Sequence, residues 1–86
     1  MIKSVIHVKI RDLAHTLFEG DVMAISSTNE KGAFDILSSH SNFISLIKDK
    51  ITLTHLDGTK QQINLNAGVL RNMDNAVEVF LGVEAL

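Results

Sequence analysis

The side chains that could do chemistry are four histidines, His7, His15, His40 and His55, together with the run Ser38-Ser39-His40. Imidazole is a common metal ligand and a common general base near neutral pH. A metal site needs ligands that converge, as at i, i+2 on a strand or i, i+4 on a helix. None of the four has such a spacing, and the chain has no cysteine to complete a set. His7 falls on the polar face of an alternating segment, where a solvated ring is expected. His55 follows Leu53 near a strand end and reads as a rim residue. A hydrolase needs a base held against a hydroxyl and oriented by a third group. Adjacency of Ser38, Ser39 and His40 along the chain does not supply that geometry, and no Gly-x-Ser-x-Gly elbow occurs. Glu30 and Asp35 suit a solvated face as well as a carboxylate pair. Neither Gly-x-Gly-x-x-Gly nor a Gly-Lys-Ser/Thr phosphate loop is present. The expectation is a chain with no catalytic residue, no metal and no cofactor.

The elements that position these residues repeat with period two, the period of strands. In the first segment Ile2, Ile6, Val8 and Ile10 share one face, and Lys3, His7, Lys9 and Arg11 share the other. A turn follows at Arg11-Asp12, then a strand from Leu13 to Phe18. Glu19-Gly20-Asp21 reads as a turn or bulge, and Val22 to Ser26 as a third strand. Ser26 to Gly32 is the most polar stretch and is expected to be an exposed loop. Ala33 to Leu37 reads as a short strand and Ser38 to Asn42 as a second polar loop. Phe43-Ile44-Ser45-Leu46-Ile47 suits one helical turn or a strand. Ile51 and Leu53 alternate with threonines. Asp57-Gly58 is the strongest hairpin signal, because a type I′ turn needs φ > 0 at both central residues. Gln61 to Leu65 returns as a strand. Asn66-Ala67-Gly68 is a turn, Val69 to Met73 a strand and Asp74-Asn75 a tight turn. Val77, Val79, Leu81 and Val83 then alternate with Glu78, Phe80, Gly82 and Glu84. That makes about nine or ten short strands in one domain over residues 1–86, the pattern of an all-β sandwich or barrel. Ile6, Val8, Ile25, Phe34, Ile36, Ile51, Leu53, Ile63, Leu65, Val77, Val79 and Leu81 form the expected core.

Composition narrows the function further. Of 86 residues, 45% are hydrophobic and 21% charged, and the formal net charge is −2. Eight Lys plus Arg are dispersed, without Tyr or Trp. A nucleic-acid binder would show a basic patch with interleaved aromatics. The lack of cysteine fits a reducing compartment. The N-terminal segment has neither a signal-peptide core nor an apolar run long enough to span a bilayer, so the expected location is the cytoplasm without membrane insertion.

One order of residues goes beyond this. Phe18-x-Gly20-x-Val22-x-x-Ile25 is followed by a polar loop and by Gly32-Ala33-Phe34-Asp35-Ile36. Then come His40 and Phe43-Ile44-Ser45-x-Ile47, and near the end Gly68-Val69-Leu70 with Val77-x-Val79. These pieces resemble, in register, the N-terminal β-sandwich of the epsilon subunit of F-type ATP synthases. The resemblance spans about residues 2–84. The chain reads Ser38-Ser39-His40 where that family often reads Pro-Gly-His, and Asn66-Ala67-Gly68 where it reads Ser-Gly-Gly.

The resemblance implies a flattened, about ten-stranded β-sandwich in the central stalk, or rotor, of the synthase. It implies a non-catalytic role, packing on the gamma subunit and the c-ring to couple ion translocation to ATP synthesis or hydrolysis, peripheral on the inner face of the plasma membrane. The polar loop Ser27, Thr28, Asn29, Glu30, Lys31, Gly32 is implied to lie near the c-ring. His40, Asn42, Phe43 and Ile44 are implied to lie on the gamma and c-ring side. Many family members add a C-terminal helical hairpin that can inhibit hydrolysis and, in some bacteria, bind ATP. The sequence ends at Leu86 without it, so ATP sensing is not expected of this chain. Two other readings compete: a standalone β-sandwich adaptor with another protein partner, and an enzyme or ligand-binding domain built on the Ser38–His40 loop. A deep pocket around His40 would favour the last.

Overall fold

The computed structural model describes residues 4–82, and within them the chain is all β. Six strands form: β1 (Ile6–Arg11), β2 (Thr16–Asn29), β3 (Gly32–Leu37), β4 (Phe43–His55), β5 (Lys60–Met73) and β6 (Ala76–Leu81). Ile2, Lys3, Val83 and Glu84, placed above by alternation, lie outside the described residues. The strands are ordered β1-β6-β5-β4-β2-β3, and β1 also pairs with β2. Five strands therefore close into a barrel, and β3 hangs from the outside of β2. Every pairing is antiparallel except β1 with β6, which is parallel. The outline is flattened, 44 × 27 × 20 Å.

The expected count of about ten strands is corrected to six among the described residues. Glu19-Gly20-Asp21 lies inside β2, with Gly20 opposite Val8, and Asn66-Ala67-Gly68 lies inside β5. What breaks the alternation there is a set of bulges. Leu17 and Met23 are extra residues on β2, Asn66 is extra on β5, and Asp49-Lys50 are extra on β4. A bulge bends a strand and raises its twist without ending it. Each long strand can then change partners partway along: β2 pairs with β1 through Val22 and with β3 from Ala24. A bulge also shifts the inward register by one. In β5 the core-facing positions are Ile63 and Leu65 before it and Gly68, Leu70 and Asn72 after it.

The core fills the barrel and continues to β3 through Ile36. Eight of the expected core residues are buried: Ile6, Val8, Ile25, Ile36, Ile51, Leu53, Val77 and Val79. Phe34, Ile63, Leu65 and Leu81 are half-buried and pack against that cluster. Ile10, Val22, Ile47 and Leu70 complete it.

The turns follow local chemistry. Asp74 and Asn75 both have positive φ, 51° and 66°, so the type I′ hairpin sits there, between Met73 and Ala76. At the other candidate only Gly58 is left-handed, with φ 88°. The Gly58 N–H donates to the His55 carbonyl at 2.9 Å and the His55 N–H donates to the Thr59 carbonyl at 2.8 Å. That is a three-residue loop with a glycine bulge in place of the expected two-residue turn.

Candidate functional site

The expected polar loop from Ser27 to Gly32 is a hairpin. Ser26 to Asn29 belong to β2, Glu30-Lys31 are the turn, and Gly32, at φ 120°, opens β3. Polar composition marks solvent contact, not loop backbone, and here it covers the outward face of a strand. Ser27 is the exception, for it is buried, and its hydroxyl donates to the Lys50 carbonyl at 2.8 Å. Ser27 is thus a structural residue. Thr28 and Asn29 are half-buried, and the Asn29 amide donates to Ser45 Oγ at 3.1 Å. Asn29 Oδ1 accepts the Lys31 N–H at 2.9 Å and braces the turn. Only Glu30, Lys31 and Gly32 of the expected set are exposed.

The second set begins in the loop between β3 and β4. His40 is exposed, with its N–H on the Leu37 carbonyl at 3.2 Å and its Nδ1 2.9 Å from the Ser41 carbonyl. Among the described residues the ring is hydrogen-bonded to that backbone oxygen and to neither Ser38 nor Ser39. Its ring lies 5.0 Å from Phe43, which meets Phe34 edge-on at 6.0 Å. Asn42 is exposed and accepts the Asp74 N–H at 2.8 Å. Around Ser39–Asn42, Asp74 and Asn75 the surface forms an open hollow, with none of the enclosure an enzyme site needs.

Phe43 opens β4, so the apolar patch takes its strand alternative. Ile44 and Leu46 then point outward, at 69% and 74% exposure, while Phe43 and Ile47 point inward. Residues 43–47 of β4 have β5 on one side and, among the described residues, no ladder partner on the other, because the β2 pairing stops at Lys48. This opening is a groove of about 570 Å³, and Asn29, Glu30, Lys31, Phe43, Ile44, Leu46 and Lys48 are among its lining residues. The fold therefore gathers the exposed hairpin tip and the start of β4 onto one surface. His40 and Asn42 belong to the neighbouring hollow. Leu46 is the residue that the sequence reading missed. Reading this patch as a strand would have found it, since Ile44 and Leu46 then share a face.

The other histidines serve as local structure. His7 stands between Asp21, 3.0 Å from Nδ1, and Glu19, 3.1 Å from Nε2. Hydrogen bonding to Asp21, then to Glu19, raises its pKa above 6.5. His55 Nε2 lies 2.8 Å from Gln61 Oε1, and its ring meets Phe18 edge-on at 5.7 Å. His15 stands near Asp12, whose carboxylate accepts the N–H groups of Ala14 and His15 and is held below its ordinary pKa by them. Among the described residues no group of three His, Asp or Glu side chains is placed to hold a metal, and no helix is long and apolar enough to cross a membrane.

Comparison with known proteins agrees with this architecture. The Euglena gracilis structure described as mitochondrial ATP synthase, OSCP/F1/c-ring in rotational state 1, contains a chain that superimposes with a TM-score of 0.85. The match covers 94% of this chain and 52% of that one, at 17% identity. A chain of the Tetrahymena thermophila mitochondrial ATP synthase central stalk and c-ring superimposes with a TM-score of 0.71, covering 88% and 62% at 10% identity. At such identities the likeness is one of fold. The ATP synthase epsilon chain of a Nitratiruptor species is 33% identical over 60 residues, which are 69% of this chain and 46% of that protein. The chain thus spans about half the length of its curated relative. Residues 5–82 match the family described as ATP synthase, Delta/Epsilon chain, beta-sandwich domain. The order of glycines and apolar residues, the closed barrel with its appended hairpin and this match agree: the chain belongs to the β-sandwich family of ATP synthase delta/epsilon chains.

Proposed function

We propose that this chain is a non-catalytic rotor domain of an F-type ATP synthase, packing on the gamma subunit and the c-ring. The observation that carries the reading is the family match across residues 5–82. The relatives support it in their own descriptions, one an epsilon chain and one within a central stalk and c-ring assembly. The domain does its work by adhesion and stiffness. A closed sheet transmits load through ladder hydrogen bonds and a packed core, whereas a loop would yield. Ile44 and Leu46 are the apolar anchors for gamma, with Phe43 behind them. Covering a Leu or Ile side chain stabilises an interface by about 1.5–3 kcal/mol before the costs of association. Glu30, Lys31 and Gly32, at the exposed hairpin tip, make the polar contact with c-ring loops in this reading. His40 and Asn42 flank the gamma side. Coupling of ion flow to ATP synthesis or hydrolysis is the property of the assembled complex, which holds this domain at the inner membrane face.

The test is capture of the cognate gamma subunit by this chain. Leu46→Asp places a charge on a side chain that is already exposed, so the fold survives while apolar contact is lost. The parent chain should capture gamma, and Leu46→Asp should bind it at least tenfold less tightly, which is about 1.4 kcal/mol. Equal capture by both would remove Leu46 from the contact.

A further inference from the structure

The segment 38–42, between β3 and β4, is held by the side chains of three asparagines. Asn75 Oδ1 accepts the Ser39 N–H at 2.6 Å. Asn42 Oδ1 accepts the Asp74 N–H at 2.8 Å. Asn72 Nδ2 donates to the Ser41 carbonyl at 3.0 Å and to the His40 carbonyl at 3.3 Å. Together these tie the loop to the β5–β6 turn.

Asn72 differs from the other two. It is only 1% exposed and occupies the inward register of β5 that also holds Gly68 and Leu70. Strand alternation reserves that position for an apolar side chain. An amide there carries a desolvation cost, and its Oδ1 is buried with no hydrogen-bond partner among the described residues. Two carbonyl oxygens face the other end of the amide. Both are acceptors, which assigns Nδ2 to that side. The backbone under restraint is itself unfavourable. Ser39, within this loop, has a left-handed φ of 66°. Asn and Asp tolerate that region more readily than Ser. The loop therefore holds its shape through its bonds to neighbouring side chains.

We infer that Asn72 is a positioning residue, whose amide clamps the His40 and Ser41 carbonyls and so holds the His40 ring on Phe43 in one conformation. The clamp stands on the geometry alone. Its consequence for binding rests on the proposed place of His40 beside the gamma contact. A loop fixed before encounter avoids the ordering cost that a mobile loop would meet on binding.

Asn72→Val tests this in the full chain, since valine fills the inward position and removes the donor. Amide exchange at Ser39 and Asp74, the ring-proton shifts of His40, the thermal midpoint and gamma affinity are measured together. The clamp predicts an unchanged or higher midpoint. It predicts exchange faster by on the order of tenfold at Ser39 and Asp74 while core amides keep their protection. The His40 ring signals should lose the shift imposed by Phe43, and gamma should bind more weakly. Asn72→Thr restores one donor and should recover part of the protection. It also decides the matter where the valine variant loses its core protection. Unchanged exchange and His40 shifts in Asn72→Val, or no recovery in Asn72→Thr, would overturn the clamp. Faster exchange with unchanged gamma affinity would uphold the clamp and remove this loop from the gamma contact.

Discussion

Gly68 and Gly58 show two different demands for the smallest side chain. At Gly68 a Cβ would stand 2.9 Å from the Phe80 carbonyl oxygen and 2.9 Å from Leu81 Cδ2. The carbonyl belongs to the β5–β6 ladder and cannot swing aside, so Gly68→Ala should destabilise by about 1–3 kcal/mol through overpacking. At Gly58 nothing lies within 4 Å of a Cβ, but φ is 88°. Gly58→Ala should therefore cost about 1–2 kcal/mol through backbone strain alone. Denaturant midpoints check both, and a loss in either variant of under about 0.3 kcal/mol would contradict its mechanism. His7 adds a pH dependence of known sign. Asp21 and Glu19 raise its pKa above 6.5 in the folded chain. Its contribution is thus complete below pH 6.5 and is lost as pH rises through the folded value. The pair with each carboxylate is half-exposed and screened by salt, so the effect is small. The stability difference between the parent and His7→Gln should shrink as pH rises from about 6 to 9. A difference that grows over that interval would contradict the assignment.

At the scale of the element, the bulges account for most of what the sequence left obscure. Alternation located the inward faces well, because a residue's face depends on period two and not on where its strand ends. Ile6, Val8, Ile51, Leu53, Val77 and Val79 are buried for that reason. Strand number was less legible. A bulge and a turn carry the same signal, a glycine or polar residues that interrupt alternation, as at Asn66-Ala67-Gly68. Ser27 was missed as a core residue because its hydroxyl finds the Lys50 carbonyl, a partner 23 positions along the chain. Of the candidate site, the exposure of Glu30, Lys31 and His40 followed from polarity, whereas the closeness of the hairpin tip to the start of β4 comes from the long-range β2–β4 register, which ends at Thr28 opposite Lys48. The core itself gives a plain test. Ile51 is fully buried and Leu37 is 60% exposed. Ile51→Ala should cost about 2–5 kcal/mol, and Leu37→Ala should stay within about 0.5 kcal/mol. Similar losses in both variants would contradict the assigned inward face.

The whole molecule offers two kinds of surface at one place: a polar hairpin tip at Glu30-Lys31-Gly32 and an apolar strand start at Ile44 and Leu46. The proposed contacts with gamma and the c-ring need both. The barrel keeps them at a fixed separation, since β2 and β4 belong to the same closed sheet. The chain contains no cysteine, so a single introduced thiol reports one position without ambiguity. The most direct measurement is therefore disulfide or short-linker crosslinking in membranes carrying the assembled synthase. One variant bears Glu30→Cys and the other Leu46→Cys, each paired with single cysteines on gamma or on the c-subunit loops. Glu30→Cys should join the c-subunit and Leu46→Cys should join gamma. Assembled complexes in which neither thiol reaches gamma or the c-ring would contradict the account.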